Sequence, residues 1–199
     1  MPRRNRVQPD GSFLAHPARG AFMGNRGILH DAQGRLTHRR WATRGWVICL
    51  LSFAVRPARQ IMAPGRYTEL FFHDEAVALA AGHRPCAQCR FEAHQSFRRA
   101  AGIDGSIGEF DKKLHAARAI PRVFGQRRHS STIANLPDGT FIAGDEGMPA
   151  LIHQGALYPF APEGYAAPRP LPRTGKVTVL TPEPTVNALR GGYAPVIRL

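Results

Sequence analysis

The sequence predicts an α+β fold, and three observations lead to that class. A near-continuous apolar run, "WVICLLSF" (residues 46–53), has the length and composition of a buried strand. The middle of the chain carries helical patterns on both sides of a tight segment, "RPCAQC". After residue 134, short apolar runs alternate with Pro and Gly, which is typical of strands joined by turns. We therefore expect a strand–helix–knuckle–helix core, an N-terminal hairpin and a β-rich C-terminal lobe. The knuckle is the two-cysteine turn over residues 86–89.

The expected N-terminal elements follow from turn residues and charge. Residues 1–20 are basic and contain no long apolar run, so we expect a flexible basic arm. A turn at Gly24 and Asn25, together with a second turn over residues 31–34, predicts the hairpin. The apolar run over residues 46–53 is expected to be a strand covered on both faces, because it lacks polar alternation.

A helix is predicted directly before the knuckle, after the aromatic strand "RYTELFF". His73 or Asp74 can cap its first turn, and Glu75 places an acid where the helix dipole favours one. Gly82 stands where a helix ends with a left-handed residue. These start and stop signals bracket a short, alanine-rich helix.

Two further helices are predicted after the knuckle. The segment "RFEAHQSFRRAAG" places His94 and two phenylalanines near one stripe, and "IGEFDKKLHAARAI" has apolar residues at helical spacing. These helices complete an α+β region over residues 21–120. A basic linker is expected over 121–134, followed by a β-rich lobe over 135–199 that packs on the first region and contains one small helix at "PTVNALRGG".

Charge gives the first indication of function. The chain carries a net charge of +13, and residues 1–66 hold twelve arginines against Asp10 and Asp31 alone. Positive charge concentrated in one part of a chain favours a polyanionic partner, so we expect nucleic acid. The alternative is that arginine-rich codon usage produced this composition without any role in binding.

No membrane partner is expected, because no segment has the ~18 consecutive apolar residues of a membrane-spanning helix. The basic N-terminus is not followed by the apolar core of a secretory signal. Three cysteines, two of them in C-x-x-C, argue against a disulfide framework. A cytoplasmic location is the resulting expectation.

The knuckle is a candidate metal site. Cys86 and Cys89 have the spacing with which two thiolates hold one edge of a tetrahedral zinc ion. Arg84 and Arg90 flank the pair, and positive neighbours lower the pKa of a thiol. Two alternatives stay open at this point: a pair of small buried residues at a helix start, and a redox-active pair.

The segment "ELFFHDEAVALAAGHRPCAQCR" resembles the second half of the metal-binding domain of Ada-type DNA-repair proteins and of related small zinc modules. The similarity covers residues 71–90: an aromatic strand, an acidic and alanine-rich helix, and the sequence R-P-C-x-x-C-R. This resemblance implies zinc at Cys86 and Cys89, and it favours DNA as the nucleic-acid partner.

The chain departs from that family at the other half of the site. The family carries a second ligand pair shortly before the aromatic strand, but the corresponding interval, residues 54–70, contains no Cys and no His. The resemblance therefore extends to Cys86 and Cys89 only. Methyl transfer to a zinc thiolate, which the family performs with a cysteine of its first pair, does not carry over.

The remaining metal ligands must come from elsewhere in the chain. Cys49 lies in the apolar strand, where a small core residue is the alternative. His94 follows Cys89 by five residues, and His30 and His115 lie in a turn region and a helix that can pack nearby. Three protein ligands would leave one coordination position open, whereas four would close a structural site.

Candidate nucleic-acid contacts cluster around "RRWATRGW". Arg39, Arg40 and Arg44 accompany Trp41, a combination that suits phosphate contact together with base stacking. We also expect Arg84 and Arg90, beside the knuckle, to contact phosphate. The alternative is a core tryptophan surrounded by solvated arginines.

Three hypotheses for function result. The first is a nucleic-acid-binding protein with a zinc-knuckle-like element, related to DNA repair. The second is a metal-dependent enzyme that acts on nucleic acid, with zinc at Cys86 and Cys89 completed by a histidine. The third is a metal-free scaffold that binds a protein or a small ligand. The sequence does not decide whether the protein is an enzyme.

Overall fold

A computed structural model describes residues 1–53 and 60–199 of the chain. Helices and strands are mixed within these residues, which confirms the α+β class. The N-terminal part of the chain forms a six-stranded sheet in the spatial order β2-β1-β5-β3-β4-β6. Its strands are β1 (Arg6–Val7), β2 (Phe13–Leu14), β3 (Phe22–Asn25), β4 (Val47–Leu50), β5 (Leu70–Phe72) and β6 (Arg84–Pro85).

The first twenty residues belong to this sheet rather than to a flexible arm. β1 pairs with β2 and with β5, and the side-chain amide of Asn5 donates to the Glu69 carbonyl oxygen at 3.0 Å. Val7 and Phe13 are 2% and 4% exposed. These two apolar side chains pack into the core, while most of residues 1–20 stay exposed or half-buried.

The predicted turn at Gly24 and Asn25 is wrong. Gly24 and Asn25 lie within the strand rather than in a turn, and β3 pairs antiparallel with both β4 and β5. A Cβ atom at Gly24 would lie 2.0 Å from the Val47 carbonyl oxygen, so this close approach of strands requires glycine. The predicted turn over residues 31–34 is present, closed by the Gly34 N–H donating to the Asp31 carbonyl oxygen at 3.0 Å.

β4 is not covered on both faces, contrary to the prediction. Successive side chains of a strand point to opposite faces. Ile48 is completely buried on the core side, whereas Cys49 on the opposite side is half-buried. Beyond the strand, Leu51 and Phe53 are 53% and 40% exposed. The apolar run therefore provides one core face and leaves Cys49 near solvent.

The predicted helix before the knuckle is α1 (Glu75–Ala80), and its boundaries agree with the sequence signals. The Asp74 carboxylate accepts a hydrogen bond from the Val77 N–H at 2.9 Å, and Gly82 has a φ of +86°. Every residue of α1 is buried, so the helix is an internal support for the knuckle that follows it.

The next two helices are α2 (Phe91–Ala100) and α3 (Ile107–Arg118). His94 and Phe97 are buried as the predicted stripe requires, but Phe91 is 59% exposed. Phe91 begins the helix immediately after the knuckle, at the protein surface. In the residues that the structure covers, no helix is long and apolar enough to cross a membrane.

The C-terminal part of the chain adds a two-stranded ribbon, a seven-stranded sheet and one helix. The large sheet has the path β13-β12-β11-β10-β15-β9, with β14 paired to β12. The ribbon consists of β7 (Ala119–Ile120) and β8 (Gly125–Gln126). The sheet contains β9 (His129–Thr132), β10 (Phe141–Ala143), β11 (Pro149–His153), β12 (Ala156–Ala161), β13 (Gly164–Tyr165), β14 (Arg169–Pro170) and β15 (Lys176–Val179), and the helix is α4 (Glu183–Arg190).

The predicted linker, residues 121–134, is part of the fold because it contains β8 and β9. The side-chain amide of Gln126 donates to the carbonyl oxygens of Ala80 and Leu180, which belong to different parts of the chain. A single apolar cluster spans the two parts, with side chains such as Phe72 and Phe141 buried in it. The β-rich lobe therefore shares a core with the first region.

The C-terminal segment "APVIRL" is not a strand. Its backbone instead binds the acidic residues at the start of α1: the Val196 N–H donates to Glu75 and the Arg198 N–H to Asp74, each at 3.0 Å. The end of the chain is thereby fastened to the helix that leads into the knuckle.

Candidate metal centre

The three cysteines of the chain converge at one place. The Sγ atoms of Cys49, Cys86 and Cys89 all lie within 4.8 Å of one another, and all three residues are half-buried. Cys49 comes from β4, and the other two come from the knuckle. The group can hold a metal ion through three thiolates.

Strand pairing explains this convergence. β6 pairs in parallel with β4, with Val47 opposite Arg84 and Ile48 opposite Pro85. The next residue after Pro85 continues this register, because the Cys86 N–H donates to the Ile48 carbonyl oxygen at 3.0 Å. Cys86 is therefore held beside the strand that carries Cys49.

The knuckle itself turns so that its second cysteine returns to the first. The Arg90 N–H donates to the Cys86 carbonyl oxygen at 3.2 Å, and the Gln88 N–H approaches the Cys86 sulfur at 3.4 Å. Such N–H donors stabilise thiolates and orient them toward a common point.

The charge state of the three sulfurs indicates what they can bind. The Cys49 thiol donates a hydrogen bond to Cys86, which lowers the pKa of Cys86 to about 4. The same hydrogen bond raises the pKa of Cys49, and burial raises the pKa of Cys89. The three neighbouring sulfurs therefore oppose one another's ionisation when no cation is present. A divalent ion would permit all three sulfurs to ionise, and soft thiolate donors fit zinc and other thiophilic metals.

The predicted histidine ligands do not join this group within residues 1–53 and 60–199. His94 is buried, and its Nδ1 donates to the Pro85 carbonyl oxygen at 3.2 Å, so its ring supports the approach to the knuckle. His30 lies between the Thr68 hydroxyl at 2.6 Å and the Ala63 carbonyl oxygen at 3.2 Å. Both rings are used to position backbone segments.

Arg84 and Arg90 each form an internal ion pair and are not exposed for contact with phosphate. Arg84 donates two hydrogen bonds of 2.7 Å to Asp111 on α3. Arg90 donates two, at 2.7 and 2.8 Å, to Glu75 on α1. Both arginine side chains are 7% exposed. The prediction of nucleic-acid contact is therefore wrong for these two residues, and their position on either side of the knuckle braces it instead.

The tryptophan segment forms an aromatic cluster away from the cysteines. Trp46 is 1% exposed, and the half-buried Trp41 lies 5.5 Å from it between ring centroids. His115 packs edge-on against both indoles, at 5.5 and 5.7 Å. Burial and the charges of Arg118 and Arg44 lower the pKa of His115 to about 4. His115 therefore packs in this cluster as a neutral ring, and in the described residues it does not join the three cysteines.

Two buried arginines beneath this cluster were not identified from the sequence. Arg26 and Arg118 are 2% and 0% exposed, with guanidinium carbons 4.1 and 3.8 Å from the Trp46 ring centroid. Within the part of the chain that the structure describes, no carboxylate forms an ion pair with either group. No local signal marks them, because Arg26 stands in what reads as a turn and Arg118 at a helix end.

The other predicted nucleic-acid contacts remain accessible. Arg39 and Arg44 are exposed, and Arg40 is half-buried beside Trp41. Comparisons of the chain with protein-family models, with curated proteins and with solved structures find no match. The resemblance to the Ada-type domain stays a prediction based on residues 71–90.

The neutral state of His115 predicts a specific loss of stability in acid. An unfolded histidine titrates near ~6.5, whereas the pKa of His115 in the folded protein is lowered to about 4. Protonation therefore favours unfolding, and the contribution of His115 to the free energy of unfolding is lost as pH falls from about 6.5 to about 4. His115→Phe keeps a ring against both indoles and removes the titration.

We expect the free energy of unfolding of His115→Phe to decline less than that of wild type between pH 7 and pH 4.5, by about 1 kcal/mol after allowance for solvent screening. Denaturant unfolding at the two pH values measures this difference. The surface variant His38→Asn serves as a control and should follow wild type. Parallel pH curves for His115→Phe and wild type would contradict the assignment.

Proposed function

We propose that this protein binds zinc through Cys49, Cys86 and Cys89 and binds nucleic acid, with DNA favoured, through its arginine-rich N-terminal part. The convergence of three sulfur atoms within 4.8 Å is the observation that carries this proposal. Zinc suits the donor set because it favours thiolate ligands and tetrahedral geometry. The fourth position is left for water or for a ligand atom supplied by a partner.

A supporting role for zinc follows from where its ligands lie. Cys49 lies in β4, and Cys86 directly follows β6, a strand that is distant in sequence from β4 but paired with it in the sheet. A shared ion would fasten these strands together and add its binding free energy to the stability of the fold. The ion pairs of Arg84 with Asp111 and of Arg90 with Glu75 also hold the two ends of the knuckle segment in place.

The enzyme hypothesis receives less support than the binding hypothesis. It required a histidine to complete a catalytic zinc site, and the three candidate histidines have other positions or other hydrogen-bond partners. An open fourth position alone does not specify a reaction. The metal-free scaffold is the alternative that direct metal analysis decides.

Nucleic-acid binding is supported by charge and exposure. Arg39 and Arg44 are exposed in the part of the chain where positive charge is concentrated, and Arg40 and Trp41 lie between them. Mobile arginines at a surface can neutralise phosphates and release counterions. Arg84 and Arg90 are not part of the proposed nucleic-acid-binding surface, because their side chains are buried.

Metal analysis of purified protein tests the first half of the proposal. Wild type should contain about one zinc ion per chain after reconstitution and dialysis, and cobalt in its place should give a thiolate-to-metal charge-transfer band. Cys49→Ser and Cys86→Ser should each lose the ion under the same conditions, because two thiolates hold zinc much more weakly than three.

His94→Gln is the matched control, since it alters a buried residue beside the knuckle without removing a proposed ligand. It should retain the ion. Zinc retained in full by Cys49→Ser would show that Cys49 is not a ligand. Wild-type protein that takes up no zinc or cobalt would favour the metal-free scaffold.

Salt dependence tests the second half of the proposal. The affinity for a labelled DNA strand, measured by fluorescence anisotropy, should fall at least about tenfold between 50 and 200 mM salt. The double variant Arg39→Gln and Arg44→Gln should flatten the logarithmic salt slope by about 1 to 2, roughly one for each lost phosphate contact.

The control removes the same charge from the β-rich lobe, by Arg173→Gln and Lys176→Gln. Both residues are exposed, and their loss should leave the slope close to that of wild type. Nucleic-acid binding is refuted if wild type shows no affinity or no salt dependence. Equal slopes for the two double variants would instead place the contact surface elsewhere.

A further inference from the structure

A cavity of about 290 Å³ lies where the N-terminal segment meets the tryptophan cluster. Two guanidinium groups, those of Arg26 and Arg40, contribute to its wall. The indoles of Trp41 and Trp46 and the ring of Phe124 form its aromatic side. Neither the cysteine centre nor the knuckle takes part in this cavity.

The guanidinium group of Arg26 does not use all of its hydrogen-bond donors. Its Nε meets the Nε2 of His83 at 3.2 Å, and one Nη donates to the Ala81 carbonyl oxygen at 3.1 Å. The other Nη has no hydrogen-bond partner in residues 1–53 and 60–199, and it is not fully enclosed. This donor is therefore available to an anion in the cavity.

Arg40 adds a second cation at the same wall. The guanidinium carbons of Arg26 and Arg40 lie 5.2 and 5.1 Å from the centroid of one ring, that of Phe13. No carboxylate in the described part of the chain forms an ion pair with Arg40. The charge of Arg40 acts unfavourably on Arg26, and an anion in the cavity that both residues line would offset that repulsion.

One acid also faces the cavity. Asp10 lies in the wall, and its carboxylate accepts a hydrogen bond from the Ser12 N–H at 3.0 Å rather than from an arginine. Burial and the charge of Arg40 lower the pKa of Arg26 to about 9, while Asp10 acts in the opposite direction. The lining residues therefore include two arginines and one acid.

The aromatic wall specifies what kind of anion fits. Trp41 is half-buried, with Trp46 and Phe124 at ring-centroid distances of 5.5 and 4.9 Å, so part of its indole stays accessible. Paired guanidinium groups suit a phosphate, and an exposed indole suits a planar base. The cavity volume is near the lower end of the range for small-ligand sites and is too small for a duplex.

We infer that this cavity binds one nucleoside phosphate unit, with the phosphate on Arg26 and Arg40 and the base against Trp41. The inference rests on the proposed nucleic-acid function and deepens it, because it names a single unstacked nucleotide as the group recognised. A free mononucleotide presents the same chemistry. A nucleotide within a strand would have to leave its stack to enter the cavity.

The two tryptophans of the chain both line the cavity, so intrinsic fluorescence reports on its occupancy. Full-length protein is titrated with thymidine monophosphate, with inorganic phosphate and with a thymidine strand of about 12 nucleotides. Thymidine monophosphate and the strand should change the fluorescence, and inorganic phosphate should compete with both. Tighter binding of the strand identifies a nucleotide within a chain as the source, and equal binding identifies the free nucleotide.

Variants locate the effect in the cavity. Arg40→Gln and Trp41→Leu should each weaken thymidine monophosphate binding about tenfold, and both residues are only half-buried, so folding is expected to persist. Arg173→Gln removes an equal charge from an exposed residue of the β-rich lobe and should change this affinity less than about twofold. Circular dichroism confirms that each variant is folded.

The outcomes separate the inference from the proposed function. Salt-dependent DNA binding without a fluorescence change, or equal effects of Arg40→Gln and Arg173→Gln on the mononucleotide, would overturn the cavity assignment and leave the proposed function standing. Mononucleotide binding that is lost in Arg40→Gln, in a protein with no affinity for a strand, would support the cavity and refute the nucleic-acid function.

Discussion

The parallel pairing of β4 with β6 is the constraint on which the rest of the structure depends. It is fixed by a short register that continues into the hydrogen bond from the Cys86 N–H to the Ile48 carbonyl oxygen at 3.0 Å. This register brings Cys49 to the knuckle and gives the candidate metal centre its third sulfur. A shift of one residue would turn Cys49 to the opposite face of the strand.

Buried ion pairs extend that constraint through the molecule. Glu75 accepts hydrogen bonds from Arg90, from the Tyr193 hydroxyl and from the Val196 N–H, so one carboxylate joins the knuckle to the end of the chain. Removing one partner of a buried ion pair leaves an uncompensated charge, which is strongly destabilising. The knuckle is therefore an internal part of the whole fold rather than an independent zinc module, and the C-terminal segment helps to hold it in place.

Local signals in the sequence predicted some of these features and could not predict others. The cap of α1 at Asp74, the turn at Gly82 and the spacing of Cys86 and Cys89 are all short-range, and each prediction agrees with the structure. Strand register is long-range, so the sequence could name Cys49 only as one of several candidate ligands, and the structure is what places it beside Cys86 and Cys89. The prediction of phosphate contact by Arg84 and Arg90 failed for a similar reason. It was based on their positive charge, but their carboxylate partners, Asp111 and Glu75, are distant in sequence.

X-ray absorption spectroscopy at the zinc edge of the reconstituted protein tests the central claim most directly. A three-thiolate centre predicts a first shell of three sulfur atoms at about 2.3 Å and one nitrogen or oxygen atom at about 2.0–2.1 Å. Two sulfur atoms with two nitrogen or oxygen atoms would contradict the claim, because that shell would exclude one cysteine and require a ligand from outside the group.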